Sequence, residues 1–565
     1  MLSIRKIGVI GRTYRHLNRY RQILTILIKY GFGDLVDILK VEQYLEVGLQ
    51  ILSRKRRQQV DRLTRAERVR MALEELGPTF VKLGQILSTR PDLIPFEFVD
   101  ELSKLQDEVP PFPYADVEQI IRSELGAGPE DIFDYFEKTP LAAASIGQVH
   151  RARLKDAEEV VVKVQRPGIR KIIEVDLEIM LHLATLMERH LEEFQITRPT
   201  RIVKEFARSI EKEIDYTIEA SHIERFAGQF MDEETVYVPK VFRDTTTERV
   251  LTMEYIDGIK ASEIERIEAE GLDRKLITAR GADLILKQIF DYGFFHADPH
   301  PGNIFVLPGN VICYLDFGIM GSIDRQSKEN FVNLVHSVVI RDEFEATHAL
   351  LKLMEYDEEP DTRLLSRDLA DLMGEHLYQP LKQLRMEKLL HQILDLISTH
   401  RLRMPPDLFL MMKALATVEG VGLSLDPDFQ MVDHATPFIR RVRMEQFHPK
   451  RVAQDIKKSG SELVRLMQEI PGELRGLLKQ IKRGKVKIEF EHRGLEPMLI
   501  THDKISNRIA FSIIIGALII GSALIVLSKT PPFMFGISII GIVGFVVAGL
   551  MGMWLLIAIL RRGKL

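Results

Sequence analysis

The sequence predicts an α+β protein with a lobe of short strands, a mainly helical lobe after it, and two transmembrane helices at the C-terminus. Short runs such as residues 159–165, which are rich in valine, and 236–241 have the pattern of antiparallel strands. Beyond about residue 270 the chain is predicted to be mainly helical, except for the short strand-like runs 304–307 and 311–315. Two runs without charge, residues 509–527 and 530–560, lie near the end of the chain. These patterns indicate a mixed soluble part followed by a membrane anchor.

The composition excludes several classes of protein. The chain has 565 residues, of which 45% are hydrophobic, enough for several packed domains. Its 77 Lys and Arg against 81 Asp and Glu give a net charge of −4, so it is not a polycation built for nucleic acid, and no such partner is expected. The single cysteine, Cys313, excludes an intramolecular disulfide and a zinc site of several thiolates. One thiol also fits a reducing compartment.

Residues 1–60 are predicted to form a basic amphipathic region. Basic residues but no acidic residue precede Asp34, and apolar residues cluster at positions 23–28. A signal peptide also begins with basic residues, but no small-residue cleavage site follows this apolar run. We therefore expect a helix that lies on anionic lipid or on the protein's own C-terminal part. A solvated basic arm is the alternative.

The two uncharged runs predict a transmembrane hairpin at residues 509–560. At 1.5 Å per residue the first run spans about 28 Å, close to the hydrocarbon thickness of a bilayer. Basic residues stand before the first run and after the second, with Lys529 alone between them. The positive-inside rule then places both termini and the soluble part in the cytoplasm, and the hairpin in the cytoplasmic membrane.

Small residues recur every four positions within the hairpin. They are Gly544, Ala548 and Gly552 in the second run, and Ala517 and Gly521 in the first. Residues of this size let helices approach closely. They serve packing within the hairpin on one interpretation, and a homo-oligomer formed through the transmembrane helices on the other.

The residues that carry chemistry begin with a small-residue loop: Ala142, Ala143, Ala144, Ser145, Ile146 and Gly147. Such residues let backbone N–H groups approach a phosphate chain, as glycines do in phosphate-binding loops. An alanine-rich turn in a packed core would look the same. About 16 positions after the loop, Lys163 lies within an apolar strand, where an ammonium group needs a partner. In protein kinases a lysine at this distance holds the α- and β-phosphates of ATP.

A second group of motifs lies in the helical half. In residues 296–303, Asp298 precedes Asn303 by five positions, as in the catalytic loop of kinases. A hairpin turn signal at residues 308–310 follows, and then the metal-binding motif Asp316-Phe317-Gly318. Asp298 would orient or deprotonate a hydroxyl group or water. Asn303 and Asp316 offer the hard oxygen ligands that suit Mg²⁺.

The catalytic-loop segment has a rival interpretation as a transition-metal site made of His296, Asp298 and His300. The prolines between these residues and the Asp-Phe-Gly motif after them fit a kinase loop better. Since all the motifs occur in kinase order, we predict a bilobal protein-kinase-like fold. Its cofactors would be ATP, or ADP, and Mg²⁺.

Further motifs indicate a family. Lys82-Leu83-Gly84-Gln85, the loop of residues 142–147 and Glu213-Ile214-Asp215 occur together with the two motifs of the helical half. This combination resembles the UbiB family, atypical protein-kinase-like proteins associated with ubiquinone biosynthesis. The resemblance covers about residues 60–430, and the C-terminal hairpin resembles that of the bacterial members.

The resemblance implies the role of an N-terminal extension. A helix carrying Lys82 and Gln85 would fold across the nucleotide site and bring Lys82 close to Glu213 and Asp215. The groove in which kinases bind a protein substrate would then be occluded.

The resemblance also implies two features of the strand-rich lobe. Glu219 would be the partner of Lys163, far along the chain because a helical insertion occupies about residues 167–198. The segment that contains Glu254 and Ile256 would be the hinge between the lobes, and its backbone would receive adenine.

The predicted domains are a basic region (1–60), a helical extension (61–130), a kinase-like N-lobe with a helical insertion (131–258), a helical C-lobe (259–440), a basic linker (441–505) and the hairpin (509–560). The predicted function is that of a membrane-anchored, Mg²⁺-dependent kinase-like phosphotransferase or ATPase that supports isoprenoid quinone biosynthesis. Expected partners are membrane lipid, quinone-biosynthesis enzymes and isoprenoid quinone intermediates. The alternatives are a conventional protein or small-molecule kinase, and a non-catalytic lipid-binding scaffold gated by nucleotide.

Overall fold

Two units, residues 1–455 and 456–565, make up the computed structural model. The described residues are 14–33, 36, 63–91, 93–105, 109–191, 198–356, 358–377, 385–446, 448, 495–534 and 537–562. Residues 1–13, 34–35 and 37–60 of the predicted basic region lie outside this part of the chain, as do residues 61–62 of the predicted extension and residues 447 and 449–494 of the predicted linker.

Helices surround the first sheet of the first unit. They are α1 (Tyr14–Lys29), α2 (Arg65–Leu76), α3 (Pro78–Leu87), α4 (Phe96–Leu102), α5 (Tyr114–Leu125), α6 (Pro129–Ile132), α7 (Ile169–His190), α8 (Pro199–Glu213) and α9 (Tyr216–Gln229).

The helical pattern over residues 66–87 is divided between two helices. Thr64 and Glu67 form a capping box at the start of α2. The helix ends at Gly77, whose φ of +98° favours glycine. Pro78 opens α3 because its fixed φ suits the first turn, where no backbone donor is lost. The glycine–proline pair therefore separates two helices within one stretch of helical apolar spacing.

Helix α1 packs on its own unit, contrary to the expected placement on lipid or on the C-terminal part. Ile23 and Leu24 are buried in an apolar cluster with residues of α2, α3 and α7. Arg19 donates to both carboxylate oxygens of the buried Asp176 on α7, at 2.7 and 3.0 Å, and to the Leu76 carbonyl at 2.8 Å. The apolar face of this basic helix is thus occupied within the fold.

Two larger sheets and a strand pair organise the first unit. The strands are β1 (Phe133–Phe136), β2 (Ala142–Ala143), β3 (Gly147–Leu154), β4 (Glu159–Gln165), β5 (Val236–Tyr237), β6 (Val250–Glu254), β7 (Ile259–Lys260), β8 (Phe294–His296), β9 (Ile304–Leu307), β10 (Val311–Tyr314) and β11 (Met320–Ser322). The first sheet has the order β1-β3-β4-β6, with β2 also paired to β3. The second has the order β5-β10-β9-β7, and β8 pairs with β11.

The alternation of side chains along β4 determines which face of the sheet carries Lys163. Val160, Val162 and Val164 are buried in one apolar cluster with residues of α5. Lys163 therefore projects from the opposite face of the sheet. Register sets it between Val149 of β3 and Leu251 of β6, so the lysine stands on a central strand.

The rest of the first unit is mainly helical. A short 3₁₀ turn (Arg243–Thr245) precedes β6, and a π-helical turn (Gln288–Tyr292) precedes β8. The helices are α10 (Ile264–Ala269), α11 (Arg274–Lys287), α12 (Arg325–Val339), α13 (Glu343–Leu353), α14 (Thr362–Leu377), α15 (Met386–Thr399), α16 (Pro406–Leu425) and α17 (Met431–Gln446).

Helix α16 forms much of the core of this helical part. It has the length and apolar composition of a membrane span, with a mean hydropathy of 1.5, yet 56% of that stretch is buried inside the protein. Its apolar residues, among them Met411 and Leu415, pack with α11 and neighbouring helices in one cluster. Burial within the unit accounts for its hydropathy.

The second unit contains a helical hairpin of α18 (Leu495–Leu527) and α19 (Ile539–Arg562). The strand pair β12 (Phe533–Met534) and β13 (Ile537–Ser538) joins them, so the second helix begins later than the uncharged run at residue 530 suggests. Residues Ile509–Leu527 have a mean hydropathy of 2.7 and the length of a membrane span. The apolar stretch Ile539–Leu555 is shorter.

Close contacts hold α18 against α19. A Cβ added to Gly544 would clash with Ser522, and one added to Gly541 would clash with Val526. Ala548 is buried, whereas Gly552 and Gly521 have open space around them. The small residues of α19 thus serve packing within the hairpin at Gly544 and Ala548.

Candidate functional site

Lys163 is paired with Glu219 of α9. Its Nζ donates to Oε1 at 3.0 Å and to Oε2 at 2.8 Å. Burial disfavours the ammonium charge, but Glu219 and Asp316 outweigh this, so the pKa of Lys163 lies above its ordinary value. The strand lysine therefore has a buried carboxylate partner and stays protonated at neutral pH.

Tyr216, the first residue of α9, lies between Lys163 and the small-residue loop. Lys163 Nζ is 5.2 Å from the centre of its ring. A Cβ added to Gly147 would clash with the hydroxyl group of Tyr216 and lie 2.6 Å from the Val164 carbonyl oxygen. The close packing of these groups explains the glycine at position 147.

The hairpin β9–β10 brings the two predicted metal ligands together. Tyr314 pairs with Ile304, and the Leu315 amide donates to the Asn303 carbonyl at 3.1 Å. Asn303 and Asp316 therefore leave the same end of the hairpin.

The opposite end of this hairpin is tied to α11. Arg280 donates to the carbonyl groups of Gly309 and Asn310 at 2.7 and 2.6 Å. The Asn310 side chain in turn accepts from the Asp273 amide at 2.8 Å, so the turn is held from both sides.

Asp316 is exposed to solvent and ionised at neutral pH. Desolvation by the surrounding groups alone would raise its pKa. The charge of Lys163, a 3.0 Å hydrogen bond from the Gly318 amide, and the charge of Lys82 together hold the pKa below its usual range. Two cations from separate elements, β4 and α3, thus lie within electrostatic reach of this carboxylate.

His296 holds the backbone of the two motifs together and is not available as a metal ligand. Its Nδ1 accepts from the Asp298 amide at 3.2 Å, so Nε2 carries the proton and donates to the Asp316 carbonyl. Burial lowers the pKa of His296 and keeps the ring neutral.

The His300 ring also has a backbone partner, because its Nδ1 accepts from the Gly302 amide at 3.2 Å. Among the described residues, no cluster of three His, Cys, Asp or Glu side chains is arranged to hold a metal ion. The transition-metal interpretation of this segment is therefore wrong.

Asp298 faces a cation that the sequence analysis missed. Lys413 of α16 lies with its Nζ 3.9 Å from Asp298 Oδ1, and both side chains are partly exposed. The sequence did contain a signal for Lys413, the same one that singled out Lys163. Both are lysines inside an apolar run, where an ammonium group requires a partner. Helix α16 therefore contributes a charge to the catalytic-loop segment.

Lys82 of α3 forms an ion pair with Glu213 at the end of α8. The side chain of Asp215, two residues further on, instead caps α9, accepting from the amide and hydroxyl groups of Thr217 at 3.0 and 2.6 Å. The Lys82–Glu213 pair joins the extension to the helix segment that precedes Glu219.

The other motif residues of α3 fix its position. Gln85 donates to the Leu105 carbonyl at 3.3 Å and is not one of the ion-pair groups. A Cβ on Gly84 would clash with the Leu105 side chain and lie 3.0 Å from that of Leu73. The Lys-x-Gly-Gln motif therefore combines one charged contact with a close helix packing that needs glycine.

The small-residue loop is held mainly through its carbonyl groups. Arg166 donates to the carbonyl oxygens of Ala144 and Ser145, both at 3.3 Å. The Ala144 amide donates to the Gly147 carbonyl at 2.7 Å within the turn. Ala142 and Ala143 are paired with β3, and Ile146 is buried in the apolar cluster that includes α2 and α3. The extension thus packs directly on this loop.

The predicted hinge lies where the chain passes from the first sheet to the second, between the ends of β6 and β7. The Glu254 carboxylate accepts from the Tyr237 hydroxyl at 2.7 Å and from the Lys240 amide at 3.1 Å. Ile256 is buried. The predicted hinge is therefore hydrogen-bonded through Glu254 to β5 and to Lys240, which follows β5.

Comparison with protein-family models gives three matches along the chain. The ABC1 atypical kinase-like domain matches residues 104–350. The UbiB helical domain matches residues 369–430, and the ABC1/UbiB kinase-like C-terminal domain matches residues 493–561. The three matches together include the sheets, the helical part and the C-terminal hairpin.

Curated relatives match over most of the chain. The "uncharacterized protein in hydrogenase 1 5′region" of Clostridium pasteurianum is 34% identical over 97% of this chain and 99% of its own length. The "probable protein kinase UbiB" of Aeromonas salmonicida is 35% identical over 83% of this chain and 87% of its own. The Arabidopsis thaliana "protein ACTIVITY OF BC1 COMPLEX KINASE 7, chloroplastic" is 35% identical over 74% and 61%. The chain belongs to the ABC1/UbiB family of atypical kinase-like proteins.

Proposed function

We propose that this chain binds ATP or ADP with Mg²⁺ and acts as an atypical kinase-like ATPase or phosphotransferase that supports isoprenoid quinone biosynthesis at a membrane. The observation that carries the proposal is the grouping of Lys163, Glu219 and Asp316, with Asn303 beside Asp316. These residues come from four separate segments and converge through α9, β4 and one hairpin.

The donors beside the hairpin fit Mg²⁺. An ionised carboxylate from Asp316 and an amide oxygen from Asn303 are hard ligands, and Mg²⁺ in phosphotransfer sites takes few protein ligands together with phosphate and water. Mg²⁺ would supply charge neutralisation on the phosphates. Asp316 is prepared for this role because the charge of Lys163 lowers its pKa and keeps it deprotonated.

The cations would bind the phosphates. Lys163 is held protonated and directed by Glu219, so it offers a fixed ammonium group to a phosphate oxygen. Because Lys82 contributes to lowering the pKa of Asp316, its charge also acts at this site.

Asp298 would position the attacking oxygen. It stands two residues beyond His296, whose ring ties its amide to the carbonyl of Asp316. The carboxylate would accept a hydrogen bond from water or from an acceptor hydroxyl group. Lys413 neutralises part of its charge.

The extension favours water or a small acceptor over a protein segment. Helix α3 is anchored by the Lys82–Glu213 ion pair and by the packing of Ile146 against its cluster. A protein substrate would need to displace a packed helix. This supports an ATPase or unorthodox phosphotransferase over a conventional kinase.

The proposed site of action is a membrane. Residues Ile509–Leu527 are long and apolar enough to cross a bilayer, and only 6% of that stretch is buried within the hairpin. Uncovered apolar helix surface requires a partner, and lipid is the simplest one. Lipid-like quinone intermediates and the enzymes that process them are the proposed partners there.

The test uses the full chain in lipid nanodiscs and a host strain that lacks the gene. Wild type is expected to bind ATP in a Mg²⁺-dependent manner, and Asp316→Asn to lose that dependence. Wild type but not Asp316→Asn is expected to restore the quinone intermediates of the deletion strain. Asp395→Asn, a change on the exposed face of α15, is the matched control.

Full restoration by Asp316→Asn would overturn the proposal and favour a scaffold role. Labelled γ-phosphate separates the two chemistries. Release as inorganic phosphate indicates an ATPase, and faster transfer to a defined acceptor indicates a conventional kinase.

A further inference from the structure

Helix α9 does more than supply Glu219 to Lys163, because it also binds the residue after the predicted metal ligand Asp316. His222 lies one turn beyond Glu219, and its Nδ1 is 3.0 Å from the Phe317 carbonyl oxygen. A carbonyl only accepts, so Nδ1 carries the proton of this ring and donates.

The same helix also contacts the side chain of Phe317. Phe226, two turns along α9, packs its ring on that of Phe317 with the centroids 5.3 Å apart at 65°. Residues 219, 222 and 226 share one helix face, so the surface of α9 that binds Lys163 also contacts the carbonyl and the ring of Phe317.

The segment 316–318 is therefore held at successive backbone groups. His296 donates to the Asp316 carbonyl, His222 of α9 donates to the Phe317 carbonyl, and the Gly318 amide donates to the Asp316 side chain at 3.0 Å. His222 is not one of the residues assigned to phosphate or metal in the proposed function. Within the described part of the chain, the His222 side chain makes its hydrogen bond to Phe317.

We propose that His222 is a positioning residue that fixes the carboxylate of Asp316 for Mg²⁺ by clamping the Phe317 carbonyl to α9. The proposal rests on the proposed function in taking Asp316 as a metal ligand. It adds that the helix that aligns Lys163 also aligns the metal ligand, so the two move together.

Two substitutions isolate the clamp. His222→Leu removes the donor and keeps a side chain of similar bulk. In His222→Asn the side-chain amide nitrogen occupies nearly the place of Nδ1, so the donor is retained. If the clamp acts as proposed, His222→Leu is defective in both readouts described below, and His222→Asn stays close to wild type.

The first readout needs neither metal nor nucleotide. Amide hydrogen exchange of residues 316–318 is measured in the full chain without ligand. One lost hydrogen bond of ordinary net strength predicts exchange faster by about threefold to tenfold in His222→Leu. Exchange in His222→Asn is expected to stay near the wild-type rate.

The second readout is the Mg²⁺ titration of ATP binding. His222→Leu is expected to need about threefold to tenfold more Mg²⁺ for half-maximal effect. Its affinity for ADP in excess EDTA should remain within twofold of wild type. A general loss of packing would weaken both, and a lower melting temperature in both variants would reveal it.

The clamp is overturned if exchange at residues 316–318 is the same in His222→Leu and wild type, or if Leu and Asn change it equally. Failure of the proposed function is distinguishable from this result. In that case wild type shows no Mg²⁺ response, while the exchange difference between Leu and Asn still stands.

Discussion

Lys163 and Glu219 stand 56 positions apart in the sequence, yet the ammonium group donates to both carboxylate oxygens, at 3.0 and 2.8 Å. Glu219 is buried and Lys163 is half-buried, close enough to Asp316 to lower its pKa. A cation thus lies between two acids, and removing it leaves two carboxylates without their main partner.

Lys163→Met is expected to lower the free energy of unfolding by about 3–5 kcal/mol at pH 7, the usual cost of breaking a buried pair. In the variant, burial raises the pKa of Glu219 unopposed by Lys163, and the pKa of Asp316 rises because it loses the main charge that lowers it. Both acids then take up protons as pH falls, so the deficit shrinks towards pH 5.

Urea unfolding at several pH values between 5 and 8 measures this change. In wild type the lowered pKa of Asp316 gives stability that is present above its ordinary pKa of 3.8, so this contribution stays constant over the measured range and is lost only at lower pH. Lys155→Met in the exposed turn after β3 is the control. A deficit independent of pH would contradict the assignment of charged partners.

Gly147→Ala is expected to destabilise the first unit by about 1–3 kcal/mol, because the new methyl group meets the Val164 carbonyl oxygen at 2.6 Å and the Tyr216 hydroxyl group. Thermal unfolding measures the loss of stability. Tyr216→Phe removes the hydroxyl group that the new methyl group would meet, so the double variant should recover part of the lost stability. Equal losses in both backgrounds would place the strain at the backbone alone.

Arg19→Leu is expected to cost about 3–5 kcal/mol, since Asp176 is only 1% exposed and would keep a buried, unpaired charge. Arg19→Leu with Asp176→Leu should recover most of this in denaturant unfolding. Lys29→Leu on the same helix breaks a more exposed pair with Glu75 and should cost less than about 1 kcal/mol. Equal costs for the two single changes would argue against a structural role of Arg19.

Lys413→Met is expected to lower the turnover of ATP by about tenfold with little change in KM, because one charge near the reacting groups is lost. Lys413→Arg should retain most of the rate. Steady-state kinetics in nanodiscs measures both. A rise in KM alone would assign Lys413 to ground-state binding.

Gly544→Val is expected to separate α18 from α19, because any Cβ there clashes with Ser522. Gly552→Val is the matched control, since open space surrounds that residue. The single tryptophan, Trp554, lies 5.9 Å from Phe511 of the other helix and reports the packing by fluorescence in detergent. Equal spectral shifts in the two variants would contradict the contact.

Local signals predicted the strands well. The predicted runs 159–165 and 304–307 coincide with β4 and β9, since valine-rich stretches between turn residues leave few alternatives. The expected strand at 236–241 shortens to Val236–Tyr237, because only its first residues pair with β10. Pairing of this kind depends on a distant strand and is not encoded locally.

Contacts between distant segments were harder to predict from the sequence than the strands. Lys413 was missed because the apolar residues around it indicate a core helix, and only the tertiary fold brings Lys413 close to Asp298. The predicted placement of α1 was wrong because the sequence of a basic amphipathic helix is the same whether its apolar face contacts lipid or protein. The buried Asp176, which binds Arg19 and fixes α1 on the fold, lies far along the chain.

The hairpin that carries Asn303 and Asp316 is fixed at both ends. Arg280 binds the carbonyl groups of its turn, and the Leu315–Asn303 hydrogen bond closes its other end, so a change in strand length cannot be absorbed at either end. Deleting one residue from either strand would turn the following side chains to the opposite face and withdraw one oxygen donor. Single-residue length changes should therefore be far less tolerated here than substitutions at the exposed turn.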